Sequence, residues 1–411
     1  MPIRVSILAR YAALPALAGP AFIPVALMAR LPLAMLTIGA LTLASVASGS
    51  YALGGLAAGA VGLGSAVGAP AVGWLADRSG QRRVVLVAGL LNAAAMLALV
   101  GASYPHGGLR ESAPWGVLAA SLAAGLTTPQ VGPLARARWM ALTEGRPRRA
   151  LELDAALSYE GTADELTFVL GPAVVGALAA LVAPWVPLVV GAALTLGFVT
   201  AFALHPTARA AHPQPHAAAS PVSARSWLLV LVPVAAMVAM GTFFGSTQAG
   251  LTAFAGERGA AEVGGLLYAA VGLTSAVAAL SVAAWPARLG LPMRWVAAAG
   301  AMLAFSLLLF APETFGSMTA ALLLLGVPVG PIMVTVFGIG GRVAPAGRVG
   351  TVMTALASGI VAGTALGAAL AGALAESGGA ASAFAVPVAS AGALLALGVV
   401  VLVARRAGGG S

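Results

Sequence analysis

Six charged residues sit where an apolar sequence leaves little room for charge. Arg30 lies in Ala29-Arg30-Leu31-Pro32, near the middle of one long apolar stretch. Arg136-Ala-Arg138-Trp139 closes a second, and Glu160-Gly-Thr-Ala-Asp164-Glu165 occupies the first third of another. A carboxylate shielded from water is a natural proton carrier: burial disfavours its charged form, while a nearby cation favours it. Glu160 and Asp164 share a helix face at i, i+4. An arginine at mid-bilayer costs about 2.5–3.5 kcal/mol unless it faces protein or water. Arg30 is therefore expected to pair with Asp164 or Glu165, with Arg136 and Arg138 as the other available cations. Glu160 either joins that cluster or is only an acidic helix start facing the headgroups.

The densest charge cluster is Gly73-Trp74-Leu75-Ala76-Asp77-Arg78-Ser79-Gly80-Gln81-Arg82-Arg83, between two apolar runs. Two helices leave and re-enter an apolar medium there within about ten residues. Gly73 lets helix backbones approach closely. Gly80 can take the positive φ that a tight reversal needs. Asp77 can face a cation or a helix N-terminus, with span 11 near Gly347–Thr351 the expected partner. Arg78, Arg82 and Arg83 hold the turn in water on the cytoplasmic side.

Composition says what must position these groups. The chain has 411 residues, 60% hydrophobic and only 8% charged, with a mean hydropathy of +0.99. A soluble protein carries about 25% charged residues, so the surrounding medium is lipid. Lipid admits helices or closed barrels, and apolar runs of twenty residues or more select helices. Twelve spans are expected, near 16–43, 50–74, 83–103, 114–138, 155–182, 185–204, 226–253, 262–285, 293–311, 316–340, 349–375 and 380–404. Residues 1–204 and 226–411 form two six-helix halves, joined by a cytoplasmic linker, 205–225, whose histidines (His205, His212, His216) read as solvated.

All 21 cationic residues are arginines. Two, Arg110 and Arg258, fall in the odd loops, eighteen in the even loops and termini, and Arg30 within a span. That asymmetry places both termini in the cytoplasm and marks the arginines as topology signals rather than a nucleic-acid surface. The seven tryptophans fall near span ends, where amphipathic rings settle. Without cysteine or lysine there is no disulfide, thiolate metal site, P-loop lysine or Schiff base. No span contains histidine, so no metal centre, haem or histidine proton relay is expected, and no cofactor. An intramembrane protease would want a Ser–His pair or two facing aspartates, and Asp164 is the one aspartate well inside a span. The chain is not expected to be an enzyme.

Gly73–Arg83 resembles motif A (G-x-L-a-D-r-x-G-r-r) of the major facilitator superfamily, between its second and third spans. The Arg-Leu-Pro, Arg-x-Arg-Trp and Asp-Glu sequences are similar to those of a recurring bacterial variety. Gly171-Pro172-Ala-Val-Val-Gly176 partly resembles the antiporters' motif C, a pointer toward export. The resemblance implies an all-α membrane protein of twelve transmembrane helices, rocking around a midplane site lined by spans 1, 4, 7 and 10. Gln130, Phe243, Phe244, Thr247, Gln248, Thr335 and Phe337 would line that substrate cavity. It implies secondary active transport, with proton-coupled export of a small amphipathic molecule, drug or metabolite, as the leading reading. Import of a metabolite is the alternative, and a membrane sensor or enzyme a more distant one. The expected setting is a monomer in the lipid of a bacterial cytoplasmic (inner) membrane, exchanging substrate and protons. The second-half loop, Trp285-Pro-Ala-Arg288-Leu-Gly290-Leu-Pro-Met-Arg294, sits where a second motif A would lie but lacks its acidic residue. The second half is expected to lack the equivalent gate.

Overall fold

The computed structural model describes residues 7–104, 114–211, 223–260, 263–286 and 288–408. Arg4, Arg110, His212 and His216 lie outside them. Among the described residues the regular structure is helical, as lipid requires of a chain whose backbone groups must be satisfied within each segment. Ten helical stretches are long and apolar enough to cross a membrane, from Phe22–Ser48 to Val349–Ala404. The last holds two spans, because the backbone turns at Gly378 and Gly379, where φ at Gly379 is 71°. One further span is built from two shorter helices, Trp115–Leu126 and Val131–Thr143. Among the described residues the chain thus folds into twelve spans in two six-helix halves.

Two departures from the expected boundaries matter for the site. Span 1 begins at Phe22 and breaks at Ala29–Arg30, between helices Phe22–Met28 and Leu31–Ser48. Pro32 explains the break, since a proline lacks an N–H and is accepted in the first helical turn. Residues Ile7–Ala18 form a separate helix ahead of it. Span 4 is likewise broken, its backbone leaving the helix over 127–130 around Pro129. Span 5, Arg149–Leu181, runs past both breaks and carries Glu160, Asp164 and Glu165.

Close packing follows small residues. Spans 2 and 4 meet through Gly64, Gly68 and Gly125, spans 8 and 10 through Gly326 and Gly330, and spans 7 and 11 through Gly241, Gly245, Gly363 and Gly367. Each of these glycines faces a neighbouring backbone where a side chain would not fit. Span 1 packs on span 5 in the first half as span 7 packs on span 11 in the second. The halves meet where span 2 touches span 11 and where span 5 touches spans 8 and 10.

Candidate functional site

The two helix breaks and span 5 bring four charged side chains together at one depth. Arg30, 4% exposed, forms ion pairs with Glu160, 0% exposed, and with Asp164 at 3.1 Å. Arg136 reaches the other Asp164 oxygen at 2.6 Å, its guanidinium 4.0 Å from the Phe337 ring centroid. Trp139, one turn beyond Arg136, donates its indole N–H to Glu160 at 2.7 Å. A Cβ on Gly132 would stand 3.1 Å from Asp164 Oδ1 and 3.3 Å from Arg30 Nε, so glycine leaves room for the network. Two cations face two anions. A buried network of this kind is stable only when each charge is met, because desolvation of an unpaired ion exceeds what packing returns.

Of the two readings of Glu160, the structure has it within the cluster rather than facing the headgroups: it is fully buried on Arg30 and Trp139. Two other readings are corrected. Glu165 is not a partner of Arg30. It accepts the Ser275 hydroxyl of span 8 at 2.7 Å, across the boundary between the halves. Arg138 joins no carboxylate among the described residues. Its guanidinium donates to Gln81 Oε1 at 2.8 Å, to the Phe202 carbonyl at 2.8 Å and to Thr207 Oγ1 at 3.0 Å, and lies over the Phe202 ring. It ties the ends of spans 3, 4 and 6 together.

His205 also departs from its reading as a solvated residue. Its ring lies 5.4 Å from that of Phe22 and its Nδ1 is 3.0 Å from Thr207 Oγ1. Burial, with the charge of Arg138 nearby, holds it below the ordinary imidazole range. Trp139 and Trp295 are fully buried rather than placed at an interface.

At the arginine-rich end, Asp77 accepts three hydrogen bonds from the start of span 11. The Gly350 N–H donates at 2.9 Å, and the Thr351 N–H and hydroxyl both donate at 2.7 Å. Gly73 lies one turn away, and a Cβ there would come within 2.7 Å of the Gly350 carbonyl. Gly80 turns the chain with φ 87°. Arg78 lies over the Trp74 ring, while Arg82 and Arg83 are exposed.

The second half has a contact of its own at this end. Arg294, at the start of span 9, donates to Asp154 of span 5 at 3.0 Å and to the Leu289 carbonyl at 2.8 Å. The acidic residue missing from the loop after span 8 is supplied by span 5, so the second half has a polar contact where none was expected. Other bonds across the boundary run from Tyr11 to the Leu280 carbonyl at 2.6 Å, from Arg10 to the Ala283 carbonyl, and from Thr162 to the Ala276 carbonyl at 2.9 Å.

The residues expected to line a cavity do not share one environment. Gln130, Phe243, Thr247, Thr335 and Phe337 are buried, Phe244 is half-buried and Gln248 exposed. The Thr247 and Thr335 hydroxyls are buried without a hydrogen-bond partner. One cavity, about 320 Å³, lies at the arginine-rich end between Asp77, Gln81, Glu144, Arg149 and Gly350. Another, about 340 Å³, is an apolar groove among spans 2, 3 and 4. Neither contains the expected lining. Sequence reading missed Asp154, Ser275 and Arg294 as partners, since each lies more than a hundred residues from the group it meets.

The family profile described as Major Facilitator Superfamily matches residues 21–359. The chain belongs to the major facilitator superfamily. Its members' solved structures share the fold at low identity. The human organic anion transporter MFSD10 (TETRAN) is 18% identical with a TM-score of 0.68, covering 92% of this chain and 98% of that one. A bacterial homologue of the iron transporter ferroportin, in an outward-facing state, is 17% identical with a TM-score of 0.67, covering 92% and 98%. The E. coli fucose:proton symporter FucP is 15% identical with a TM-score of 0.64, again covering 92% and 98%. At these identities the likeness is one of fold. No curated protein sequence matches the chain. Family and fold make this superfamily member a multi-pass membrane transporter rather than an enzyme.

Proposed function

We propose that this protein is a secondary active transporter that couples inward proton movement to export of a small amphipathic molecule by alternating access. The observation that carries the reading is the charge-balanced network of Arg30, Arg136, Glu160 and Asp164, with Glu165 beside it at the boundary between the halves. Its carboxylates come from one helix that touches the opposite half. A rocking motion between halves alters what surrounds them, which is the requirement for linking proton affinity to conformation. The contacts of Asp77 and Asp154 close the arginine-rich end. That end is the cytoplasmic one by the distribution of arginine, with both termini there and residues 205–225 linking halves 1–204 and 226–411. The setting is the bacterial inner membrane, and the working unit a monomer in lipid. Gln130, Phe243, Phe244, Thr247, Gln248, Thr335 and Phe337 line the substrate path as the halves part.

The test is transport by reconstituted protein in liposomes with an imposed pH gradient of either sign, using a panel of amphipathic dyes and metabolites. Accumulation opposite to proton flow is expected. Accumulation along proton flow would replace export by uptake, and transport indifferent to the gradient would remove proton coupling.

A further inference from the structure

The acidic residues Glu160, Asp164 and Glu165 in the middle of span 5 are not equivalent. Glu160 is committed to Arg30 and Trp139, and Asp164 to Arg30 and Arg136. Two arginines and two carboxylates leave no net charge. Glu165 is therefore surplus: an ionised Glu165 adds a negative charge at the depth where the network has already balanced.

Its surroundings offer a hydroxyl. Ser275 Oγ donates to Glu165 Oε1 at 2.7 Å. Ser275 is itself fully buried, and its carbonyl faces Gly330, the glycine that lets span 10 run against span 8. The serine is thus fixed in the second half, whereas Glu165 belongs to the first. Of the elements packed on span 5, span 8 presents Tyr268, close enough to interact electrostatically with Glu165. Span 10 has no ionisable residue between Phe315 and Gly341, and the helices of span 6, Val186–Leu194 and Thr200–Leu204, have none. Spans 1 and 4 present Arg30 and Arg136, bound to Glu160 and Asp164. Arg10 and Tyr11, on the helix before span 1, reach the Ala283 and Leu280 carbonyls. On its own helix the nearest charge is Asp164, of like sign. Glu165 is only partly covered by protein.

We propose that Glu165 is the proton-carrying carboxylate of this transporter, and that Ser275 reads its charge across the boundary between the halves. The ionised carboxylate is the stronger acceptor and holds span 5 on span 8. Protonation weakens that bond and favours separation of the halves at the arginine-rich end. The inference rests on the proton coupling proposed above and names its group.

The chain has no cysteine, so spin labels can be placed at Pro147→Cys and Ala346→Cys, exposed positions on opposite halves at that end. Distances are measured in liposomes between about pH 4 and 9, a range that spans perturbed carboxylates, with no substrate needed. The unaltered background is expected to shift toward longer distances as pH falls, in one transition. Glu165→Gln should show the low-pH distribution throughout. Ser275→Ala removes the contact through which the charge is read and should flatten the transition, leaving the longer-distance distribution at every pH. Asp164→Asn should keep a transition. A transition that persists in Glu165→Gln, or is lost in Asp164→Asn alone, would overturn the assignment while leaving proton coupling intact. A background that ignores pH would overturn both. If Glu165→Gln does not reconstitute, Ser275→Ala decides, an undiminished transition counting against the proposal.

Discussion

Asp154 and Arg294 form a partly buried contact between the halves that mirrors the one made by Asp77, with the charges exchanged. In the first half a carboxylate beside the short loop, Asp77, meets the N-terminus of span 11. In the second half a cation beside the corresponding loop, Arg294, meets a carboxylate near the start of span 5. Spans 5 and 11 hold matching places in the two halves, each packed on the first span of its half. The same end is therefore held by two latches of opposite polarity.

Each latch contributes on the order of 1–2 kcal/mol, the range of a helix-dipole or partly exposed ion-pair contact. Asp77→Asn or Asp154→Asn should raise the population open at this end about tenfold. The two together should act nearly additively, because the contacts share no residue. Distance distributions between labels at Pro147→Cys and Ala346→Cys measure it. Unchanged populations in both single variants would show that the latches do not set the equilibrium.

Gly73 tests the same interface by shape rather than charge. A side chain there meets the Gly350 carbonyl within 2.7 Å and the Thr354 methyl within 2.9 Å. Gly73→Leu should force spans 2 and 11 apart and reproduce the open distribution of Asp77→Asn while leaving Asp77 in place. A closed distribution in Gly73→Leu would mean that the helices absorb the side chain.

The buried network makes a prediction about stability. Arg30→Met strands Glu160 and should destabilise the protein by about 3–5 kcal/mol, the cost of an unpaired buried charge. Adding Glu160→Gln leaves Asp164 paired one to one with Arg136, so the double variant should recover most of the loss. Thermal unfolding in detergent is the measurement. A double variant no more stable than the single one would show that Arg30 acts through packing.

The arginine distribution predicts a sidedness. Single cysteines at Glu313 and Pro147, both exposed, should differ toward an impermeant thiol reagent added to intact cells. Glu313→Cys should be labelled and Pro147→Cys protected. The reverse pattern would invert the topology.

Span number, the charge cluster of Gly73–Arg83 and the presence of acidic residues within span 5 were legible in the chain. Each depends on local properties: hydropathy over about twenty residues, a turn signal, a charge inside an apolar run. The breaks in spans 1 and 4 also had a local sign in Pro32 and Pro129, though not their consequence, a cluster of charges at one depth.

Partner choice was decided by tertiary structure. Asp164 and Glu165 are adjacent, yet successive residues on a helix point about 100° apart. One therefore faces Arg30 and Arg136 inside its own half, and the other faces Ser275 of the opposite half. Glu160, four residues before Asp164, shares its face and so its arginine. Which neighbour each face meets depends on how span 5 is rotated and what packs against it, and small residues such as Gly132, Gly330 and Gly350 set that packing. A sequence determines that a charge is buried and must be met. Only the folded bundle determines by what, because the answer lies on another helix, as little as 28 residues away for Arg136 and Asp164 and as much as 134 for Arg30 and Asp164.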